Sequence, residues 1–188
     1  MKIVVLRHGK PNINTSEKVS PIGFGKWVSD YDKAGILDSN IPDRGVIDKA
    51  GECEFTVCSD LPRSIESARL LGISSPELIS SEFRECEMPY GSLTYPKLST
   101  STWSLIFRLF QMAGFSFNAE SYKEAIERSK KCANHLADLA RNHGSVLFVG
   151  HGALNWLLHK QLISTGWLGP KKSAKNHWAF SEYVCKKT

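Results

Sequence analysis

The sequence predicts an α/β fold: a three-layer α/β/α sandwich around a mostly parallel central sheet, with an inserted helical cap around residues 88–120. Three observations carry the prediction. Ile3-Val4-Val5-Leu6 and Val146-Leu147-Phe148-Val149 are unbroken apolar runs of strand length, the pattern of strands buried on both faces. Helical patterns fall between the strand-like runs along the chain. Each apolar run leads into a histidine followed by glycine, at the carboxyl end where parallel sheets bind ligands.

The elements follow in order. Lys2–Leu6 is the first strand, and Arg7-His8-Gly9 ends it. Lys10 to Asn14 is a polar loop. Ser20-Pro21 starts a helix, with serine as the cap and proline in the first turn, and Phe24, Trp27, Val28 and Tyr31 share one side. Residues 38–53 are rich in Asp, Pro and Gly and read as a connection. Residues 54–58 form a short β-branched strand. Ser59 or Asp60 caps the helix that follows, Pro62 sits in its first turn, and Gly72 ends it. Residues 77–80 supply a third strand, and residues 82–89 an acidic loop that Pro89 keeps from helix.

Residues 102–117 are the most apolar window. Trp103, Ile106, Phe107 and Phe110 recur at helical spacing, and Arg108 interrupts a run already shorter than the roughly 20 residues a membrane span needs. This helix reads as a core or dimer-contact element. Residues 119–143 form the clearest helix, with Ala125, Ser129, Cys132, Leu136 and Ala140 on one face and Glu124, Glu127, Lys130 and Lys131 on the other. Asn142-His143-Gly144 stops it. After the strand 145–149, residues 153–163 read as helix, and residues 178–184 alternate like an edge strand.

A length of 188 residues fits one domain, 1–188, with a proper core. The five cysteines form no C-x-x-C pair, so neither a zinc site nor a disulfide framework is expected. Met1-Lys2 leads straight into a strand rather than a secretory signal, so the expected location is cytoplasmic. The net charge of +5 is concentrated at the end, in Lys171, Lys172, Lys175, Lys186 and Lys187. No basic-aromatic motif accompanies them, so no nucleic-acid partner is expected, and a solubilising surface is favoured over membrane contact.

Three strand ends thus carry Arg7-His8-Gly9, Arg63 and Gly150-His151-Gly152. A parallel sheet would deliver them to one edge. Two imidazoles, two guanidiniums, helix N-termini and glycines that admit backbone amides make an anion site. Guanidinium binds phosphate bidentately and keeps its charge, and helix N-termini favour phosphate as well. Glu85 and Glu87 of the acidic loop supply carboxylates for leaving-group chemistry.

These residues resemble the signature of the histidine phosphatase superfamily (phosphoglycerate mutase-like). Leu6-Arg7-His8-Gly9, with Asn14 six residues after the histidine, is similar to its first block. Ser20-Pro21-Ile22-Gly23 resembles its Leu-Thr-x-x-Gly helix start. Ser59 to Ala68 is similar to its Ser-x-Leu-x-Arg-(Ser/Thr)-x-x-(Ser/Thr)-Ala block, Phe83-Arg84-Glu85 resembles its Leu-x-Glu loop, and Val149-Gly150-His151-Gly152 is similar to the block of its second histidine.

The resemblance implies the roles. His8 would be the nucleophile that forms a phosphohistidine. Arg7, Arg63 and His151 would hold the phosphoryl oxygens, with Gly9, Asn14 and Gly152 touching the same group. Glu85 would protonate the leaving oxygen and later activate water. Glu87 is the alternative acid, because the spacing to Gly91 favours it whereas the spacing to Phe83 favours Glu85. Neither metal nor cofactor is implied, since fixed cations take the place of magnesium. His135, His143, His159 and His177 belong to no motif and read as structural or solvated.

The expected activity is hydrolysis of a phosphomonoester, either a small metabolite or a phosphoprotein. Phosphoglycerate mutase-type transfer is the second reading, and a non-catalytic phospholigand-binding protein the third. The aromatics of residues 88–120 either contact the substrate or form the underside of a lid.

Overall fold

Six strands form one sheet in the computed structural model, which describes residues 1–185. Lys186 and Lys187 of the basic tail lie outside the described residues. The sheet is built from β1 (Lys2–Arg7), β3 (Phe55–Cys58), β4 (Leu78–Ile79), β6 (Ser145–Gly150), β7 (Trp167–Leu168) and β8 (Phe180–Cys185). Its order is β4-β3-β6-β1-β8-β7. The first four neighbours are parallel, and β8 and β7 are antiparallel additions.

Helices cover both faces, as a mostly parallel sheet requires. Ile3, Val5, Val146 and Phe148 point to the side of α5 (Tyr122–His143) and α6 (Gly152–Ser164). Val4, Leu6, Leu147 and Val149 point to the opposite side, against α2 (Arg44–Gly51) and α3 (Pro62–Leu70). The alternation is the two-residue period of a strand whose faces are both apolar. All of these strand side chains are buried.

The outer layer over the sheet edge joins two distant segments. A two-residue strand β2 (Lys18–Val19) pairs with β5 (Leu98–Ser99), and α1 (Pro21–Lys33) packs on α4 (Thr100–Met112). Phe24 stacks between Trp27 and Phe107, and Trp103 stacks on Phe107. The cap expected around residues 88–120 therefore recruits α1 and β2 as its partners. Trp103 and Phe107 form its underside, whereas Leu105, Leu109, Phe110, Phe115 and Phe117 are exposed.

Four local expectations are corrected. Residues 38–53 are not only a connection, because α2 forms there. Asp43 Oδ1 accepts the Val46 N–H at 2.9 Å, and Val46 and Ala50 are buried. The last strand is not an edge, since β7 pairs along its outer side. Neither Ser59 nor Asp60 caps α3: Leu61 is the cap residue and makes no side-chain bond, while Asp60 takes a two-pronged contact from Arg84. Finally, α4 stops at Met112, and Gly114 at φ +99° turns the chain away. Among the described residues, no helix is long and apolar enough to cross a membrane, and Cys53, Cys58, Cys86 and Cys132 are free thiols.

Candidate active site

The register of two strands places the two histidines. Arg7 of β1 lies opposite Gly150 of β6, so His8 and His151 leave the sheet side by side, with ring centroids 5.1 Å apart. His8 is 1 % exposed and His151 0 %. Behind them, β3 runs parallel on the other side of β6 and turns into α3, whose first turn carries Arg63, also 0 % exposed. Glycine serves two close approaches, the first of which leaves no room for a side chain. A Cβ on Gly9 would meet the Trp178 ring at 2.5 Å, and one on Gly152 would press on the Arg7 guanidinium at 3.3 Å.

Hydrogen bonds set the tautomers. His8 Nδ1 lies 2.6 Å from the Gly9 carbonyl oxygen, so the proton is assigned to Nδ1 and the lone pair to Nε2. Burial, then the neighbouring His151 and Arg63, hold the His8 ring well below the ordinary imidazole value. Charging it would desolvate a cation beside cations. The ring is neutral at physiological pH. His151 Nε2 meets Ser59 Oγ at 2.7 Å, and that oxygen accepts the Leu61 N–H. The Ser59 hydroxyl proton has no other acceptor among the described residues, so it is assigned to Nε2, and Nδ1 carries the ring proton. Burial, then Arg63 and Arg7, lower His151 as well.

The arginines are anchored and incompletely satisfied. Arg63 donates from Nη1 to the Tyr31 carbonyl at 2.8 Å and from Nη2 to Asp32 at 3.3 Å, and its guanidinium lies 4.4 Å from the Tyr31 ring centroid. Arg7 donates from Nη1 to the Lys175 carbonyl. Arg7 Nε, Arg63 Nε and His151 Nδ1 are buried without a partner, and no other side-chain nitrogen or oxygen among the described residues is in that state. An unpaired buried donor costs about 1–3 kcal/mol. Three such donors in one cluster suit an acceptor-rich anion.

The two candidate carboxylates have different surroundings. Glu85 accepts the N–H groups of Ala153 and Leu154 at the start of α6, and that of Cys86, at 2.9–3.1 Å. Burial pushes its carboxyl up, but Arg108 and these three N–H groups together outweigh it and hold it below the usual carboxylate range. Glu87 is exposed and exchanges bonds with Glu120, accepting the Glu120 N–H at 2.6 Å. Both glutamates line a cavity of about 1090 Å³ together with Arg7, Gly152 and His177.

Arg7, His8, Gly9, Arg63, His151 and Gly152 are thus brought together. Asn14 is not: it is exposed, and its side chain accepts the Ser16 N–H in a local turn. Of the four histidines without a motif, His135 pairs with Glu82, His143 stacks on Phe55 and His159 bonds Tyr183. His177 was missed. Its Nδ1 lies 2.9 Å from the His8 carbonyl oxygen and its ring 5.3 Å from that of His8. Burial, then Arg7, lower its pKa. The chain returns over the site because Arg7 and Trp178 exchange backbone bonds, Trp178 N–H to the Arg7 carbonyl and Arg7 N–H to the Ala179 carbonyl. Trp178 holds φ +64° to make the turn, a backbone conformation that is costly for a bulky residue. No local sequence signal marks this return. Among the described residues, no group of His, Cys, Asp and Glu could hold a metal ion.

A parallel sheet that gathers orphaned cationic donors around a neutral imidazole makes this an α/β protein with an anion-receptive sheet edge. The chain belongs to the histidine phosphatase superfamily (branch 1), whose family model matches residues 48–183. The match covers Arg63, Glu85 and His151 and leaves β1 and His8 outside it. No curated protein matches the chain. Solved structures share the fold at low identity. A phosphoglycerate mutase from Bacillus anthracis is 17 % identical, with a TM-score of 0.62 over 100 % of this chain and 92 % of its own. A mycobacterial glucosyl-3-phosphoglycerate phosphatase, solved with VO3, is 17 % identical, with a TM-score of 0.62 over 96 % and 91 %. The ecdysone phosphate phosphatase of Bombix mori, solved with tungstate, is 14 % identical, with a TM-score of 0.56 over 100 % and 94 %.

Proposed function

We propose that the chain is a metal-independent phosphatase that hydrolyses a phosphomonoester through a phosphohistidine on His8. The observation that carries this reading is the set of three orphaned donors around an imidazole with a free lone pair. Arg7 Nε, Arg63 Nε and His151 Nδ1 would accept a phosphoryl group as their missing partner. His8 Nε2 attacks phosphorus, the ester P–O bond breaks, and the leaving oxygen takes its proton from Glu85. Glu85 is ionised in the resting protein, and a phosphate dianion beside it raises its proton affinity, as like charges do. It therefore collects its proton on substrate binding. In the second half, the Glu85 carboxylate takes a proton from water, the hydroxide attacks phosphorus, the P–N bond breaks, and inorganic phosphate leaves.

Relatives in fold that are named as phosphatases support hydrolysis, while the Bacillus anthracis mutase makes transfer to a second sugar-acid oxygen the competing outcome. The test is phosphate release across a panel of phosphomonoesters at several pH values, with an alkaline denaturing quench to trap label on the protein. The expected result is release that His8→Ala abolishes, with an acid-labile, base-stable adduct in the parent. Rapid isomerisation of 3-phosphoglycerate with its bisphosphate and no net phosphate release would establish the mutase instead. Ligand binding with no turnover, unchanged in His8→Ala, would establish a binding protein.

A further inference from the structure

Gly9 follows the proposed nucleophile and has no side chain to restrain its backbone. Glycine adopts many conformations that other residues refuse, yet all four polar groups of the two peptides around Gly9 are tied. In the His8–Gly9 peptide, the Gly9 N–H donates to Ser67 Oγ at 2.9 Å, and the His8 carbonyl accepts from His177 Nδ1 at 2.9 Å. In the Gly9–Lys10 peptide, the Lys10 N–H donates to Asn40 Oδ1, and the Gly9 carbonyl accepts from His8 Nδ1 at 2.6 Å. Three separate parts of the fold supply the outside partners. Ser67 comes from α3, Asn40 from the segment before α2, and His177 from the chain that returns over β1.

The His177 bond has one direction. A carbonyl only accepts, so His177 Nδ1 carries the proton and donates it. The returning chain does not depend on this bond. Arg7 and Trp178 exchange backbone bonds, Arg7 Nη1 donates to the Lys175 carbonyl, and Trp178 Nε1 donates to the Asn40 carbonyl. Trp178 also holds φ +64° in the turn that presents His177. Strain of this kind persists where the surroundings enforce it and collects at functional sites. The imidazole is thus delivered to the carbonyl of the nucleophile by contacts other than its own.

We propose that His177 is a positioning residue for His8. Its Nδ1–H fixes the plane of the His8–Gly9 peptide, and that plane sets the φ of Gly9 from which the next peptide departs. The Gly9 carbonyl is then held where it takes the Nδ1 proton of His8, and Nε2 of His8 keeps its lone pair. The bond made by one imidazole nitrogen decides the state of the other. The inference rests on the phosphatase reading for what His8 does, and on hydrogen bonds alone for what holds His8. The rival role for His177 is ligand contact through Nε2, since the ring lines the larger cavity.

Two amides split the imidazole into its halves. His177→Asn sets a donor where Nδ1 stands, His177→Gln sets one where Nε2 stands, and His177→Ala has neither. Nitrogen NMR shifts of the rings separate a protonated nitrogen from a bare one, and the His8 signals are those lost in His8→Gln. The parent should show His177 protonated at Nδ1, and His8 protonated at Nδ1 with Nε2 bare. In His177→Ala and His177→Gln the two His8 shifts should converge as the second tautomer is populated, and His177→Asn should restore the parental pattern. The kcat should fall about tenfold in His177→Ala and His177→Gln, the worth of one buried hydrogen bond, and His177→Asn should recover most of it. Affinity for inorganic phosphate should stay within about twofold throughout, because Arg7, Arg63 and His151 keep their donors. A bare Nδ1 on His177 in the parent, a measurement that needs no variant, would overturn the inference. Parental His8 shifts in all three variants would do the same, as would equal losses in all three, which leave only ring bulk at work. Recovery by His177→Gln in place of His177→Asn would overturn it in favour of ligand contact through Nε2. Should the parent release phosphate from no ester while the His8 shifts respond as described, the phosphatase reading falls and the positioning role stands.

Discussion

Ser59 Oγ lies 2.7 Å from His151 Nε2 and 3.3 Å from the Leu61 N–H. The serine has one proton to give and no other acceptor for it among the described residues, so that proton is assigned to the imidazole. A residue on the β3–α3 turn thereby fixes which face of His151 carries a donor toward Arg7 and Arg63. Ser59→Ala should leave His151 free to adopt the other tautomer. Turnover of a phosphomonoester should fall about tenfold, the worth of one buried hydrogen bond, with vanadate affinity falling in step. Unchanged kinetics would show that the tautomer is fixed elsewhere.

Stability should depend on pH below the histidine range. His8 and His151 are buried and hold folded-state values well below 6.5. Above about pH 6.5 both the folded and unfolded forms are neutral, and their contribution is fully present. Below it the unfolded chain binds protons that the folded chain refuses, so stability falls with pH until the folded values are reached. The slope approaches about 1.4 kcal/mol per pH unit for each ring. Thermal melts between pH 5 and 7 measure it, and His8→Gln should flatten the curve in that window. A curve that rises toward pH 5 would contradict neutral burial.

The two glutamates separate by substitution. Glu85→Gln keeps an acceptor for the start of α6 but cannot transfer a proton. It should slow hydrolysis of a poor leaving group by about 100-fold or more, the usual worth of a general acid. Glu87→Gln should stay near parental rates, because Glu87 is spent on Glu120. Phosphate release from an alkyl ester reads both. The reverse order would assign the acid to Glu87.

Gly9→Ala should be costly although it adds one methyl. That methyl would stand 2.5 Å from Trp178, whose ring is buried and whose Nε1 donates to the Asn40 carbonyl. Overpacking of this kind costs about 1–3 kcal/mol. Denaturant midpoints should fall accordingly, and turnover should fall too, because Trp178 carries His177 and the Arg7 contact with it.

Arg63→Lys should behave as a loss, not a conservative change. A single ammonium cannot serve Tyr31, Asp32 and a phosphoryl oxygen together. At a fully buried position, the broken set should cost about 3 kcal/mol or more of stability, read by urea unfolding. Phosphate release should fall below detection at rates where Ser59→Ala is still measurable.

Much of this was legible in the residues. Arg7-His8-Gly9 and Gly150-His151-Gly152 follow directly on apolar strands, and a parallel sheet aligns strand ends by rule. Arg63 follows because a strand and a short turn place it. Position within a strand or first turn is local information. His177 is not local: it reaches His8 only because the chain doubles back across β1 through bonds between Arg7 and residues 178–179. The helix α2 hid behind its glycines and its short length, and Asp43 was the one cue that it begins there. The strand β7 has two residues, too few for any periodicity, so β8 looked like an edge. Asn14 shows the opposite failure, a motif position whose side chain turns to its own loop.

The pairing of β1 with β6 has a further consequence. Backbone amides in that ladder, buried on both faces, exchange with solvent only when the whole molecule opens, whereas the two-residue ladder of β2 with β5 opens alone at small cost. The distance between His8 and His151 is thus held by the most persistent part of the protein, and the cover over them by the least. Residues of the cover can be replaced while the spacing of the two histidines stays fixed. Under the phosphatase reading, changing what is dephosphorylated and keeping how it is dephosphorylated become separate problems for this chain.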